Sequence, residues 1–187
     1  MIPIIAFSGS SQTGKTTLGR RLAEYCHCKF VSFGDYVRQQ ARNRGIANPS
    51  REDLQNLGQQ LVQTNVVNLC RAVFKTVHFS SGDRLVVDGV RHIEALNAIS
   101  TISAGQPIKL IYLHASMKVR ESRELDGNRP GTLDEIDAHP VEAQTNHEIK
   151  QLADLVMDAG RDVEESFSLI LKWLCHECPE LLPRPPD

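Results

Sequence analysis

The sequence predicts an α/β protein, a parallel sheet covered by helices on both faces. Three observations lead there. Five short apolar runs have the length and composition of buried strands. Segments with apolar residues at helical spacing separate them. Two of the runs end on a carboxylate, Asp88 and Asp158, where a parallel sheet collects polar groups at the carboxyl ends of its strands. The chain has 187 residues, enough for one sizeable core, and no composition shift or repeat divides it.

The first predicted strand covers residues 2–8, and a helix follows with Leu18, Leu22 and Tyr25 on one face. The second strand is 29–32. A long helix is expected from Ser50, where Asn48-Pro49-Ser50 supplies a turn and an N-cap, with Leu54, Leu57, Leu61, Leu69 and Val73 along one stripe. Ser80-Ser81-Gly82-Asp83 closes that segment by turn chemistry. The third strand is 85–88, then a helix at 93–103 stopped by Gly105 and Pro107. The fourth strand is 108–113 and the fifth 155–158. Between them the breaker-rich run 126–132 is expected to form a flap joining two helical stretches. Residues 179–187 read as a proline-rich, poorly ordered tail.

Between the first strand and the first helix stands Gly9-Ser10-Ser11-Gln12-Thr13-Gly14-Lys15-Thr16, which fits G-x-x-x-x-G-K-[ST] at every fixed position. Strand, glycine loop and helix are the context that separates a phosphate-binding loop from a chance turn. The glycines let successive N–H groups face an anion, and the helix N-terminus adds partial positive charge. Lys15 is expected on the β- and γ-phosphates of a nucleoside triphosphate and the Thr16 hydroxyl on Mg²⁺, with Thr17 next in the loop.

A triphosphate site serves switches, motors and kinases alike, so a second anion site must discriminate. Gly34-Asp35-Tyr36-Val37-Arg38 follows the second strand and sets a carboxylate and an arginine three residues apart. Arg38 is suited to grip an acceptor phosphate and Asp35 to orient an acceptor hydroxyl or a metal-bound water; the plain alternative is a first-turn carboxylate beside an exposed arginine. Asp88-Gly89-Val90-Arg91 ends the third strand, giving a second-sphere partner for Mg²⁺ in Asp88, close backbone approach at Gly89, and Arg91 in the same cleft. Arg120, Arg123 and Arg129 alternate with Glu121 and Glu124. That pattern fits a solvated helix face, or a flap that brings cations to a transferring phosphoryl group and excludes water.

Net charge is −2, which provides no field for nucleic acid or an anionic membrane, and no run approaches a bilayer span. Five cysteines (Cys26, Cys28, Cys70, Cys175, Cys178) without a disulfide framework fit a reducing, cytoplasmic setting, and no secretion signal is visible. Cys175-x-x-Cys178 lacks a second such pair and reads as ordinary thiols rather than a metal site.

Taken in order, the glycine loop, Gly-Asp-x-x-Arg, Asp-Gly-x-Arg and the arginine-bearing flap resemble the nucleoside monophosphate kinase group of P-loop proteins, with dephospho-coenzyme A kinase a close relative. The resemblance covers about residues 1–175. It implies a P-loop NTPase three-layer sandwich with strand order 2-3-1-4-5 and a short lid, a single kinase domain over 1–178, an acceptor-binding region at about 33–80 and a lid at about 116–135. It implies ATP and Mg²⁺ as cofactors, and a small phosphate-bearing acceptor as partner, on a monomer or homodimer. Arg38, Arg91, Gly34 and Gly89 fall at its acceptor site. Arg120 falls on the ATP base, Arg123 and Arg129 on the phosphates, and Arg161 beside the adenine. The sequence departs from adenylate kinases in lacking the proline and one residue of Asp-Gly-Phe-Pro-Arg, and in having Phe33 where threonine is common. Its fifth strand and the helix opening at Asp162 are closer to the dephospho-coenzyme A kinase and small nucleotide kinase branch. The expected reaction is phosphoryl transfer to a nucleoside or deoxynucleoside monophosphate. Its rivals are phosphorylation of a ribose hydroxyl with Asp35 as base, and a regulatory ATPase.

Overall fold

The structure, a computed structural model, describes residues 1–125, 133, 137, 139, 142 and 145–183. Five strands, β1 (Ile4–Gly9), β2 (Lys29–Ser32), β3 (Leu85–Asp88), β4 (Ile108–His114) and β5 (Leu155–Asp158), form one sheet in the order 2-3-1-4-5. All four pairings are parallel, so every strand's carboxyl end lies on the same edge. The helices are α1 (Lys15–Tyr25), α2 (Phe33–Asn43), α3 (Arg51–Lys75), α4 (Ile93–Ile102), α5 (Met117–Leu125) and α6 (Val163–Glu177), with a π-helical turn at Thr145–Ile149. The expected fold class and strand order are both present. Among the described residues no helix is long and apolar enough to cross a membrane.

Strand alternation builds the core on both faces. In β1, Ile4 and Ala6 face one layer, where Leu69, Val73 and Phe74 of α3 and Ala95, Ala98 and Ile99 of α4 pack over Leu85, Val87 and Tyr112. Ile5 and Phe7 face the other, where Leu18 and Leu22 of α1 and Phe167, Ile170 and Leu174 of α6 cover Val86, Ile111 and Met157. β1 is fully buried, as a central parallel strand must be. Tyr25, expected on the buried face of α1, is 46% exposed and stacks edge-on against Phe167.

Two expectations need correction. The long helix begins as predicted, with Ser50 and Asp53 forming a reciprocal capping box. However, Asn65 leaves helical geometry (φ −169, ψ 95) and its side chain accepts from Asn68 N at 2.9 Å, so Asn65 caps a second helical segment inside α3. The apolar stripe hid the break because its spacing resumes in register beyond it. The tail is packed at its start: Leu181 is buried, and Arg84 donates to the carbonyls of Glu180 and Leu181 at 3.1 and 3.2 Å. Residues 184–187 and the flap 126–132 lie outside the described residues.

The junction of β1 with the glycine loop is set by Gly9. It sits at φ 127, and a Cβ there would lie 1.9 Å from Leu113 O on the neighbouring strand. No side chain fits without parting β1 from β4. Replacing Gly9 with Ala should lower unfolding free energy by about 3 kcal/mol or more, summing backbone strain and overpacking. Urea unfolding measures this, and an unchanged midpoint would contradict the packing described.

Candidate active site

The glycine loop crosses from β1 to α1 through two left-handed positions, Gln12 (φ 60) and Gly14 (φ 82). Gly14 is the N-cap of α1; no side chain among the described residues caps that end, and its first turn carries no acid. The helix's leading N–H groups therefore face the cavity in front of the loop. Beneath them Thr13 Oγ1 donates to Ser10 O at 2.9 Å, and Lys15 Nζ donates to Ser10 O at 2.5 Å and to Thr13 Oγ1 at 3.3 Å.

The end of β3 meets the same spot, because Ala6 and Phe7 pair with Val87 and Asp88. Thr16 Oγ1 donates to Asp88 Oδ2 at 2.6 Å, and Ser32 Oγ donates to the same oxygen at 3.2 Å. Asp88 is 3% exposed, and its Oδ1 is buried with no hydrogen-bond partner among the described residues. A buried bare carboxylate oxygen is costly, and here it stands beside the loop threonine. Gly89 (φ 83) turns the chain back so that Gly89 N and Val90 N both donate to Phe7 O, at 3.1 and 3.2 Å. That turn aims Arg91 along the sheet edge.

A cavity of about 380 Å³ opens over these strand ends. Residues 11–17 line one side of it, and Asp88 to His92 line its floor. Gly34 and Arg38 of α2 and Arg51, Leu54, Gln55 and Gly58 of α3 line the other side. Lys15, Arg38, Arg51 and Arg91 thus share one cavity. The crowding shows in their acidities. Burial, then repulsion from Arg91, pulls Lys15 down to about 7, with Arg51 and Arg120 adding to it and Asp88 opposing. Burial, then Arg51, holds Arg91 down to about 10. Positive charge is concentrated where water is scarce, which favours entry of a multiply charged anion.

The carboxylates around this cluster act as holders. Arg91 is ion-paired with Glu142, which is fully buried, also accepts from Gln55 Nε2 at 3.3 Å, and has its Oε2 without a partner among the described residues. Arg38 donates to Asp35 Oδ1 at 2.5 Å, while Arg20 donates to Asp35 Oδ2 at 2.7 Å. Both oxygens of Asp35 are therefore engaged by guanidinium groups, and Asp35 is not among the residues lining the cavity. The structure places Asp35, expected at an acceptor group, in ion pairs with Arg20 and Arg38.

Arg120 also differs from expectation. It is 4% exposed, donates from Nε to Ser11 O at 2.8 Å, and grips Asp137 through two 2.7 Å bonds. It is thus buried and tied to the loop backbone and to Asp137, where the resemblance implied a contact with the ATP base. Arg123 instead reaches across a second depression of about 240 Å³, donating to Ala159 O at 2.7 Å and Gln12 O at 3.3 Å. Arg161 lines that depression too, with Gln12, Gly14 and Thr17. Gly9 and Ser10 support the loop from below without lining the main cavity. Arg129 lies outside the described residues. The five cysteines are free, and no metal-ligating cluster of His, Cys, Asp or Glu occurs among the described residues.

Sequence reasoning missed Arg51, Asp137 and Glu142. Arg51 follows the N-cap Ser50 and gave no sign beyond an ordinary first-turn residue. Asp137 and Glu142 belong to a stretch without periodicity, and only three-dimensional packing pairs them with arginines.

Comparison with known proteins gives a family and relatives of the same fold. A family model described as an AAA domain matches residues 8–157. The chain belongs to that family. A cytidylate kinase from Desulfurococcus amylolyticus is 35% identical over 85 residues, which is 46% of this chain and 43% of that relative. The chain thus spans less than half of that relative's length. A UPF0200 protein from Aeropyrum pernix is 25% identical over 162 residues, 84% of each chain. Solved structures share the fold at low identity. Shikimate kinase from Aquifex aeolicus superposes with a TM-score of 0.60 at 19% identity, over 93% of this chain and 97% of that one. A gluconokinase from Sinorhizobium meliloti gives 0.55 at 16%, over 96% and 95%.

The lowered Lys15 pKa has a measurable consequence. A bound triphosphate restores its charge, so binding takes up a proton between about pH 7 and the ordinary lysine value. The dissociation constant for ATP should rise with pH above about 7, by at most about tenfold per unit. Calorimetry in buffers of different ionisation enthalpy should show proton uptake at pH 8. Proton release, or an affinity independent of pH, would contradict the burial of this lysine.

Proposed function

We propose that the protein transfers the terminal phosphoryl group of ATP to a small phosphate-bearing acceptor, a nucleoside or deoxynucleoside monophosphate. One observation carries the reading: Lys15 of the loop and Arg38 and Arg91 beyond it line a single cavity. A protein that only hydrolyses or senses ATP has no use for two arginines facing the loop across that space.

In this reading the loop amides and Lys15 hold the donor phosphates, with its base over the depression lined by Arg123 and Arg161. Arg38 and Arg91 hold the acceptor phosphate, and Glu142 and Asp35 fix those two guanidiniums through ion pairs. The apolar wall from Val37, Leu54, Val62 and Leu69 suits a flat base more than a polyol, whose hydroxyls need polar partners. The bond between Pγ and the bridging oxygen breaks as a bond forms from an acceptor phosphate oxygen to Pγ, and ADP leaves. The nucleophile is already ionised, so no base is needed. That agrees with Asp35 being committed to Arg20 and Arg38, and it favours a phosphate acceptor over a ribose hydroxyl.

The donor set also fits Mg²⁺. Thr16 and Asp88 present hard oxygen atoms, and Asp88 Oδ1 is a buried oxygen in want of a partner. Bound there, the ion would neutralise charge on the β- and γ-phosphates. Asp88 would hold it through water.

Incubation with ATP, Mg²⁺ and a panel of monophosphates, shikimate and gluconate tests the proposal. The expected products are ADP and one nucleoside diphosphate. ADP and free phosphate alone, with every acceptor, would sink it. Arg38→Ala should raise the acceptor KM by about 10- to 100-fold, the worth of a lost charge-assisted bond, and leave the KM for ATP nearly unchanged.

A further inference from the structure

Arg51 is absent from every motif in the chain, yet it lines the cavity and bonds the glycine loop. Its backbone is fixed as the first residue of α3, held by the Ser50–Asp53 capping box, in which Ser50 N donates to Asp53 Oδ2 at 2.8 Å and Asp53 N to Ser50 Oγ at 3.1 Å. Its side chain crosses the cavity to donate from Nη2 to Ser11 Oγ of the glycine loop. The next turns of the same helix, through Leu54, Gln55 and Gly58, line the acceptor side. Arg51 is therefore carried by the acceptor wall and aimed at the donor loop. Its charge is felt by both Lys15 and Arg91, whose pKa values it lowers.

We infer that Arg51 is a further catalytic residue, whose guanidinium contacts the phosphoryl group in transit between the donor's and the acceptor's phosphates. The inference rests on the kinase reading above. As the Pγ bond to the departing bridging oxygen lengthens and the bond from the acceptor oxygen forms, charge spreads over the three equatorial oxygens of the group in flight. A planar cation with several donors, sharing the cavity with Lys15 and Arg91, matches that charge better than it matches either substrate alone. The hydroxyl of Ser11 holds the guanidinium at the loop beforehand, so little reorganisation is needed when the reaction occurs. A merely structural Arg51 would steady the loop and would affect donor binding first.

Steady-state kinetics of Arg51→Ala with ATP and a panel of AMP, CMP, UMP and GMP separates these roles. The expected result is a fall in kcat of about 100-fold, with both KM values within about threefold of the unaltered protein, and partial recovery on adding guanidinium chloride at a non-denaturing concentration. Arg51→Lys keeps the charge but loses the fork, and should remain at least about tenfold slow. A kcat within about fivefold of the unaltered protein, or a loss confined to the KM for ATP, overturns the inference. Calorimetry with ADP and aluminium fluoride, a mimic of the phosphoryl group in flight, reads Arg51 even if no monophosphate is turned over. There Arg51→Ala should weaken the mimic about 30-fold and ADP alone less than about threefold. Equal losses, or none, reject Arg51 as a catalytic residue, whereas failure of turnover with an intact mimic effect rejects only the acceptor assignment.

Discussion

Positive charge gathered in a poorly hydrated cavity is the constraint on which the rest of this structure depends. Lys15, Arg38, Arg51 and Arg91 converge there, and Asp88 and Glu142 offset them only in part. Such a cluster is costly to maintain in the folded chain, and the depressed pKa of Lys15 records that cost. Phosphates relieve it. The chain as a whole carries a net charge of −2, so the attraction is local to the cavity and owes nothing to the overall field.

The sheet makes this concentration possible. Parallel pairing places the ends of β1, β2 and β3 side by side, and each end contributes one element: the glycine loop, the turn into Gly34 and Arg38, and the Asp88–Arg91 turn. Gly9 lets β1 run tight against β4 before the loop departs. Gly89 lets the chain fold back onto Phe7. Around this frame, acidic side chains hold the arginines in place: Asp35 for Arg38, Glu142 for Arg91, and Asp137 for Arg120. The first two pairs fix the direction of a guanidinium that lines the cavity, whereas the third ties Arg120 beneath the loop.

Much of this was legible in the sequence, for local reasons. The glycine loop announces itself because its backbone geometry demands glycine at fixed positions, and short apolar runs between helical stripes suffice for a parallel sheet. Ser50 was readable as an N-cap because the turn that precedes it is local in the sequence. Asn65 was not, since an asparagine in the middle of an apolar stripe differs little from a solvated one until the backbone is seen. Arg120 shows the opposite error. Its spacing matched a familiar pattern, but Asp137 captures it beneath the loop, and that partner is 17 residues away with no signal linking the two. Asp35 likewise matched a motif, yet Arg20, fifteen residues earlier, claims one of its oxygens. Residues whose role depends on a distant partner are those that sequence reading misplaces.

The most direct test of the account is a crystal structure with Mg²⁺, a non-hydrolysable ATP analogue and the nucleoside monophosphate that the protein prefers. The account predicts the γ-phosphate against Lys15 and Arg51, the monophosphate's phosphate between Arg38 and Arg91, and both within the one cavity. A monophosphate bound elsewhere, with the Arg38 and Arg91 side chains directed away from the glycine loop, would contradict it.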